Sequence, residues 1–555
     1  MTRPRLPLIL LLVAIFCAVW FANLDTRSLI RPDEGRYAEI AREMAVSGDW
    51  VTPRLNGLKY FEKPPLQYWV TAAAFRMFGP DEWTARLWPA LTGVLCVLAV
   101  WRIGRRLFGE PAGAYAALVA GSMLWMVANA HLNSLDMGLT FFLTVCAGAL
   151  LVAQQRRTAV ESRRRWMAAA WVACAGALLT KGLIGIVLPG GAITFYLLAT
   201  RDWRLLTRLH IPAGLVVLLL IAAPWFVAVS LANPEFPEFF FVREHFQRYL
   251  TTVHRRSEPW WTFAPMLIAG TLPWVVLAAR SVWRAHGQDD LAAPLRPRLY
   301  LLCWIVFVFL FFSASSSKLP SYILPLFPAL AWLMGDRLAN LPARELRWHA
   351  VPLLPLAIAA GVLGLRAERF ANERTPVALY QAFEPWIVGA AIAMGVGSLL
   401  CMVWSSRGRK AAAATALGFG GLVAWQAAIT GHDALSPSFS AARFARQTKP
   451  LIRPDCPLYS VRTYDQTLPF YLERTVTLVA FSDEMTFGVE REPQRWIPDM
   501  DGFAARWREG GCEYAFMEPA VFDELTAAGL PMQIVGRDTR RVLVAHPGME
   551  ITPLP

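Results

Sequence analysis

Apolar residues in this chain fall into long uninterrupted runs rather than into the period-two or period-3.6 stripes of half-buried elements. Runs that are hydrophobic all round and about 17–20 residues long are the length a helix needs to cross a bilayer. Thirteen are found: 6 to 22, then near 84 to 102, 112 to 130, 136 to 154, 166 to 182, 184 to 199 and 211 to 232, followed by 261 to 279, 299 to 315, 320 to 335, 349 to 365, 385 to 404 and 411 to 430. The first follows two arginines, Arg3 and Arg5, so it reads either as a signal peptide or as a span. No small-x-small cleavage pattern stands out before Asn23, which favours an uncleaved span with its basic end in the cytoplasm.

One polar insertion breaks this pattern early, from Asn23 to Trp83, far longer than a connection between spans requires. From Gly431 the pattern changes again, to short strand-like runs at Pro457–Tyr464, Val476–Phe481, Tyr514–Met517 and Val542–His546, with a helix over Ala520–Ala528. The expected fold class is therefore mainly α, a polytopic membrane protein of about 13 transmembrane helices. It divides into a membrane domain over residues 1–430, including the loop 23–83, and a small C-terminal α/β domain over 431–555. That last domain is long enough for a core of its own and carries no glycine fingerprint for a nucleotide, so it reads as a substrate-shaping cap.

Composition agrees with a membrane protein: 55% of residues are hydrophobic and only 17% charged. The net charge of +13 would suggest nucleic acid in a soluble chain, but here it has a topological use. Alternate connections carry Arg102, Arg105 and Arg106; Arg156, Arg157 and Arg163–Arg165; Arg201, Arg204 and Arg208; Arg280, Arg284, Arg296 and Arg298; Arg337, Arg344 and Arg347; and Arg407, Arg409 and Lys410. All fall on the side of the N-terminus, the cytoplasm, and an odd number of spans sends the C-terminal region to the opposite side. Six cysteines sit in apolar runs as small hydrophobes; Cys456 and Cys512, in the polar region, could pair in an oxidising compartment.

The remaining connections gather scarce polar groups on the outer side: Asp33, Glu34, Arg36, Tyr37, Tyr60, Glu62 and Lys63 from the long loop, then His131, Asn133 and Asp136, Lys181, Arg243, Glu244, His245 and Arg248, and Lys318 with Tyr322. Ionisable groups at membrane depth are costly and are usually paired or functional. A helix starting near Pro32 would line Asp33 up with Arg36 and Tyr37, so Asp33 is the expected inward carboxylate, although it could merely cap the helix. Glu34 and Asp136 are the other catalytic candidates, Asp136 also being placed as a helix cap. Lys63, Arg248, Lys318 and Tyr322 suit a lipid-linked phosphate, with interfacial snorkelling as the plain alternative. Glu62 and His245 could take a divalent metal or form a structural ion pair.

Taken together, Arg31-Pro-Asp33-Glu34-Gly-Arg36-Tyr37, Tyr60-Phe-Glu62-Lys63-Pro-Pro-Leu-Gln-Tyr-Trp, Thr180-Lys181-Gly182 and Ser315-Ser-Ser-Lys318-Leu-Pro-Ser-Tyr322 resemble the bacterial aminoarabinose transferases of lipid A. These are relatives of protein O-mannosyltransferases among the membrane-embedded C-type (GT-C) glycosyltransferases. The resemblance implies a GT-C fold in the bacterial inner membrane, a periplasmic C-terminal domain, and transfer of 4-amino-4-deoxy-L-arabinose from undecaprenyl phosphate to a phosphate of lipid A. It implies Asp33 as the central carboxylate, and Lys63, Arg248 and Tyr322 around the donor phosphate. Glu62 and His245 would lie close by, with Asp136 and Lys181 in support. Masking an anionic phosphate would lower affinity for polymyxin and other cationic peptides. Two alternatives stay open: a polyprenyl-linked sugar transferred to another acceptor, such as mannose to exported proteins, or a lipid or sugar transporter without covalent chemistry.

Overall fold

In the computed structural model, which describes residues 6–247, 258–285, 289 and 294–551, each of the thirteen apolar runs lies in helix. Among the described residues seven helices are long and apolar enough to cross a membrane, and up to nine if each sharply bent pair is one span. The bent pairs are Glu110–Ala120 with Leu124–Ala130, at 62°, and Phe263–Gly270 with Val275–Ala285, at 109°. The others that the run lengths predict are shorter or less uniformly apolar: Leu6–Phe21 and Ile184–Thr200 are apolar but short, and the run at 320 to 335 opens as a 3-10 turn before Phe327–Asn340. The chain is a multi-pass, mainly helical membrane protein.

The insertion between the first two runs is ordered rather than a bare loop. Helix Asp33–Ser47 begins directly after Pro32 and stops at Gly48, whose left-handed φ of 74° lets its N–H close on Met44 O. Strands β1 (Arg54–Leu55) and β2 (Leu58–Lys59) form a hairpin, and helix Leu66–Phe78 follows. Helix Glu82–Phe108 then enters the apolar body behind a capping box made by Asp81 and Thr84.

The C-terminal region builds one six-stranded sheet from β3 (Leu458–Val461), β4 (Thr477–Val479), β5 (Trp496–Ile497), β6 (Tyr514–Met517), β7 (Gln533–Arg537) and β8 (Val542–Ala545). Its order is β5-β4-β3-β6-β8-β7, parallel from β5 to β6 and antiparallel at β8 and β7. β5 and β7 carry no alternation strong enough to stand out in the sequence. Strand side chains alternate faces, and the two faces meet different partners. Tyr459, Val461, Val479, Ala515, Met517, Val542 and Val544 pack on Phe503 and Trp507 of helix Met500–Glu509, a core private to this region. Leu458, Leu478, Tyr514, Phe516, Leu543 and Ala545 instead share a core with Tyr37, Ile40, Ala41 and Met44 of helix Asp33–Ser47 and with Tyr60 and Tyr68.

Polar stitches follow the same seam. Asn56 exchanges two hydrogen bonds with the Val476 backbone, at 2.7 and 2.8 Å, and Glu492 accepts from Arg54 and from Lys59 N. Cys456 and Cys512 are joined as a disulfide across a separation of 56 residues, a loop whose closure constrains the unfolded chain by about 4 kcal/mol. The backbone comes close at Gly35, where an added Cβ would lie 2.6 Å from Gln466 O and 2.7 Å from Thr467 Cγ2.

Gly35→Ala should therefore lower stability by about 1–3 kcal/mol, although alanine is the better helix former by about 1 kcal/mol. Thermal unfolding of the detergent-purified protein checks this, and an unchanged or raised midpoint would mean that the helix and the 466–467 segment separate without cost.

Candidate active site

Two adjacent carboxylates at the start of helix Asp33–Ser47, Asp33 and Glu34, point to different places. Glu34 is 2% exposed and faces the apolar body. Its carboxylate accepts from Arg86 Nε at 2.7 Å and Nη2 at 2.9 Å, from Arg27 Nη1 at 2.9 Å, and from the backbone N–H groups of Ile30 and Asn133 at 3.0 Å. Arg27 and Arg86 hold it well below its ordinary pKa against the opposing effect of burial. Arg86 also donates to the carbonyls of Leu24, Arg27 and Ser28, and Arg27 to His131 O. Glu34 therefore has no capacity left for substrate, and the catalytic role expected of it is replaced by a structural one. His131 and Asn133 belong to the same frame: both imidazole nitrogens lie 2.7 Å from backbone carbonyls, and Asn133 bridges Glu34 and Gln67.

Asp33 turns the other way, its side chain 42% exposed, and makes no capping bond. Arg36, one turn on, reaches Asp33 Oδ1 at 3.0 Å and lies 2.5 Å from Glu484 Oε2, an ion pair without the alignment of a hydrogen bond. Glu484 comes from the C-terminal region and is held by Gln466 Nε2 at 2.7 Å. Burial pushes the Glu484 carboxyl up, with Arg36 opposing. Tyr37, Tyr60 and Tyr68 stand around this group, their phenols pushed up first by burial. Among the described residues Arg36 Nε, Tyr60 Oη, Tyr68 Oη and Glu484 Oε2 are buried without a hydrogen-bond partner. Buried polar atoms are seldom left so, and four around one accessible carboxylate suit a polar ligand.

Beside this crevice Lys63 lies between two carboxylates, 4.0 Å from Glu62 and 3.9 Å from Glu244, and donates to Glu62 O at 2.8 Å. Asp136, instead of capping its helix, pairs with Lys181, whose ammonium lies 4.8 Å from the centre of the Tyr322 ring. Lys318 is buried and gives one bond to Ser315 O at 2.6 Å within its own loop. Arg248 and the side chain of His245 lie outside the described residues. Among the described residues the group of His, Cys, Asp or Glu ligand atoms close enough for a metal is Asp455, Cys456 and Cys512, whose sulfurs form the disulfide.

Comparison with known proteins gives the family. Residues 6–240 match the family described as dolichyl-phosphate-mannose-protein mannosyltransferase, and residues 444–546 match the aminoarabinose transferase C-terminal domain. The chain is 34% identical over 392 residues to an undecaprenyl phosphate-alpha-4-amino-4-deoxy-L-arabinose arabinosyl transferase of Pseudomonas aeruginosa, covering 68% of each chain. The chain belongs to the undecaprenyl phosphate-aminoarabinose transferases. A relative of the same description from Erwinia tasmaniensis is 34% identical, and the match spans 64% of its length. The crystal structure of ArnT from Cupriavidus metallidurans bound to undecaprenyl phosphate superposes with a TM-score of 0.93 at 40% identity, covering 98% of both chains. Membership in this glycosyltransferase family displaces the transporter alternative.

Sequence reasoning missed four participants: Arg27, Tyr68, Arg86 and Glu484. Arg86 left a signal, a cation just inside an apolar run, but its partner is 52 residues away. Glu484 left none, since its partner Arg36 is in the other region.

Removing one member of a buried ion cluster costs about 3–5 kcal/mol, so Glu34→Gln should lower the thermal midpoint sharply. Because its folded pKa is depressed, the stability that Glu34 contributes is complete above about pH 4.5 and is lost as pH falls below that value. Unfolding followed from pH 7 to pH 3 should show this acid slope in the wild type and a smaller one in Glu34→Gln; equal slopes would contradict the assignment.

Proposed function

We propose that this chain transfers 4-amino-4-deoxy-L-arabinose from undecaprenyl phosphate to a phosphate of lipid A on the periplasmic leaflet of the inner membrane. The observation that carries the reading is the crevice itself: one accessible carboxylate, Asp33, ringed by buried phenol, guanidinium and carboxyl atoms that lack hydrogen-bond partners among the described residues. Such a set suits an aminosugar, whose hydroxyls and ammonium offer both donors and acceptors. The division of the family matches supports it. The N-terminal stretch is shared with enzymes named for a polyprenyl-phosphate sugar donor, and the C-terminal stretch with a domain named for aminoarabinose transfer.

In this account thirteen spans carry a catalytic domain over 1–430. The region 431–555 is its periplasmic partner, consistent with the arginine-rich connections on the opposite side and with a disulfide, which an oxidising compartment sustains. The acceptor phosphate is already an anionic oxygen, so deprotonation contributes little. Rate comes from alignment and from neutralising the departing phosphate. Lys63 and Tyr322, with Arg248 outside the described residues, hold that phosphate; Lys318 lies within the same set. Asp33, held by Arg36, faces the positive charge that develops on the sugar. Tyr37, Tyr60 and Glu484 line the sugar, while Asp136 fixes Lys181 beside Tyr322. Glu62 and His245 are the pair that would hold a divalent ion, which would supply further neutralisation of phosphate charge. No step here depends on it.

The test is mass spectrometry of lipid A from a transferase-null Gram-negative host expressing the chain or its Asp33→Asn form. An aminopentose adduct with the first, and a loss of about a hundred- to a thousandfold with the second at equal expression and donor supply, is expected. Near-normal turnover by Asp33→Asn would overturn its role; labelled exported proteins in place of lipid A would move the assignment to the mannosyltransferase-like alternative.

A further inference from the structure

A second group of charges stands beside the crevice and takes no part in the account above. The short segment Pro437–Phe439, just beyond helix Lys410–Gly431, is a backbone hub on which four arginines from three parts of the chain converge. Arg541 donates to Pro437 O at 3.1 Å and Arg540 to Ser438 O at 2.7 Å. Ser438 Oγ donates to Arg374 O at 2.8 Å, and Arg31 N to Phe439 O at 2.9 Å. Arg31 lies within the long insertion, two residues before Asp33. Arg374 lies in the connection between the helices ending at Gly364 and starting at Val377, and Arg540 and Arg541 in the turn between β7 and β8.

The carboxylates in this group do not balance it. Asp465 and Asp538 both go to Arg541, at 2.8 and 3.1 Å, and Arg541 is 2% exposed. Asp538 is further occupied by the backbone N–H groups of Arg540 and Arg541. Among the described residues the guanidinium groups of Arg31, Arg374 and Arg540 have no carboxylate within ion-pair distance; Asp465 acts on Arg31 and Arg540 from further off, and Glu518 on Arg31. Arg31 and Arg540 are half-buried and Arg374 is exposed. Burial and the neighbouring Arg31, Arg541 and Arg374 bring Arg540 down to about 10. Like charges held together, two of the three partly desolvated, weaken a fold unless an anion joins them. Guanidinium groups match phosphate oxygens in a bidentate fashion. The hub follows directly on the last apolar helix, so it sits where an outer-leaflet headgroup lies.

We infer that Arg31, Arg374 and Arg540 form an anion subsite for a phosphate of the acceptor glycolipid other than the one glycosylated at Asp33. The inference rests on the lipid A reading. It makes the enzyme favour a bisphosphorylated acceptor and anchors one end of the headgroup while the other enters the crevice.

The test uses the purified full chain with its polyprenyl-phosphate aminosugar donor. Transfer is measured to bisphosphorylated lipid A and to each of its two monophosphorylated forms, in phosphatidylcholine micelles and again with phosphatidylglycerol added. With the monophosphorylated form that is still glycosylated, the wild type should show a KM about tenfold higher than with the bisphosphorylated acceptor. Arg374→Gln/Arg540→Gln should bring that ratio near one, the loss falling on KM for the bisphosphorylated acceptor. Arg374→Gln alone, on an exposed side chain, should lower the ratio about threefold without moving the unfolding midpoint. A wild-type ratio near one, or a ratio indifferent to the substitutions, would overturn the subsite. Rates that follow phosphatidylglycerol rather than the acceptor's phosphates would reassign the arginines to bulk phospholipid. Transfer by the wild type to none of the acceptors would overturn the lipid A reading, and the subsite with it.

Discussion

The structure around the reaction site depends on one buried carboxylate. Glu34 lies in a medium where an isolated charge would be strongly disfavoured, and it is held there by two guanidinium groups and two backbone N–H groups. Its partners come from the exit of the first apolar helix, from the first turns of helix Glu82–Phe108, and from the connection before helix Leu135–Ala153. One ion cluster thus pins the base of helix Asp33–Ser47 to three parts of the membrane body. With Glu34 turned inward, helical geometry sends its neighbour Asp33 to the accessible side.

The next two residues couple the same helix to the other region. Gly35 allows the backbone of Gln466 and the methyl group of Thr467 to approach where a Cβ would collide, and Arg36 reaches Glu484 across the gap. The crevice is consequently shared: Asp33, Arg36, Tyr37, Tyr60 and Tyr68 come from the insertion and Glu484 from beyond the sheet strand β4. A sheet with one private core and one core shared with the insertion is more than an appended cap. Its packing sets where Glu484 stands.

Much of this was legible in the sequence for physical reasons. Runs of apolar residues without charge are helices wherever the backbone must satisfy itself in lipid, and every one is helical here. The Pro32 start and the Asp33–Arg36 alignment follow from helix geometry, and β3, β4, β6 and β8 from β-branched and aromatic runs. What could not be read were pairings between distant residues. Asp33 and Glu34 are adjacent carboxylates in one motif, and only the positions of Arg27 and Arg86 tell which one is buried. His131 and Asn133 looked like site residues because they are polar at the outer boundary, yet they brace Glu34. The bends of 62° and 109° in two apolar pairs left no mark beyond a glycine and a proline.

The account describes a single displacement at the sugar, with Asp33 beside the anomeric centre but not bonded to it and the leaving phosphate neutralised by cations. The most direct test is the anomeric configuration of the product, read by NMR coupling constants on lipid A glycosylated by the purified chain from a donor of known configuration. The account predicts inversion. Retention would contradict it, because it would require a covalent glycosyl intermediate and make Asp33 a nucleophile.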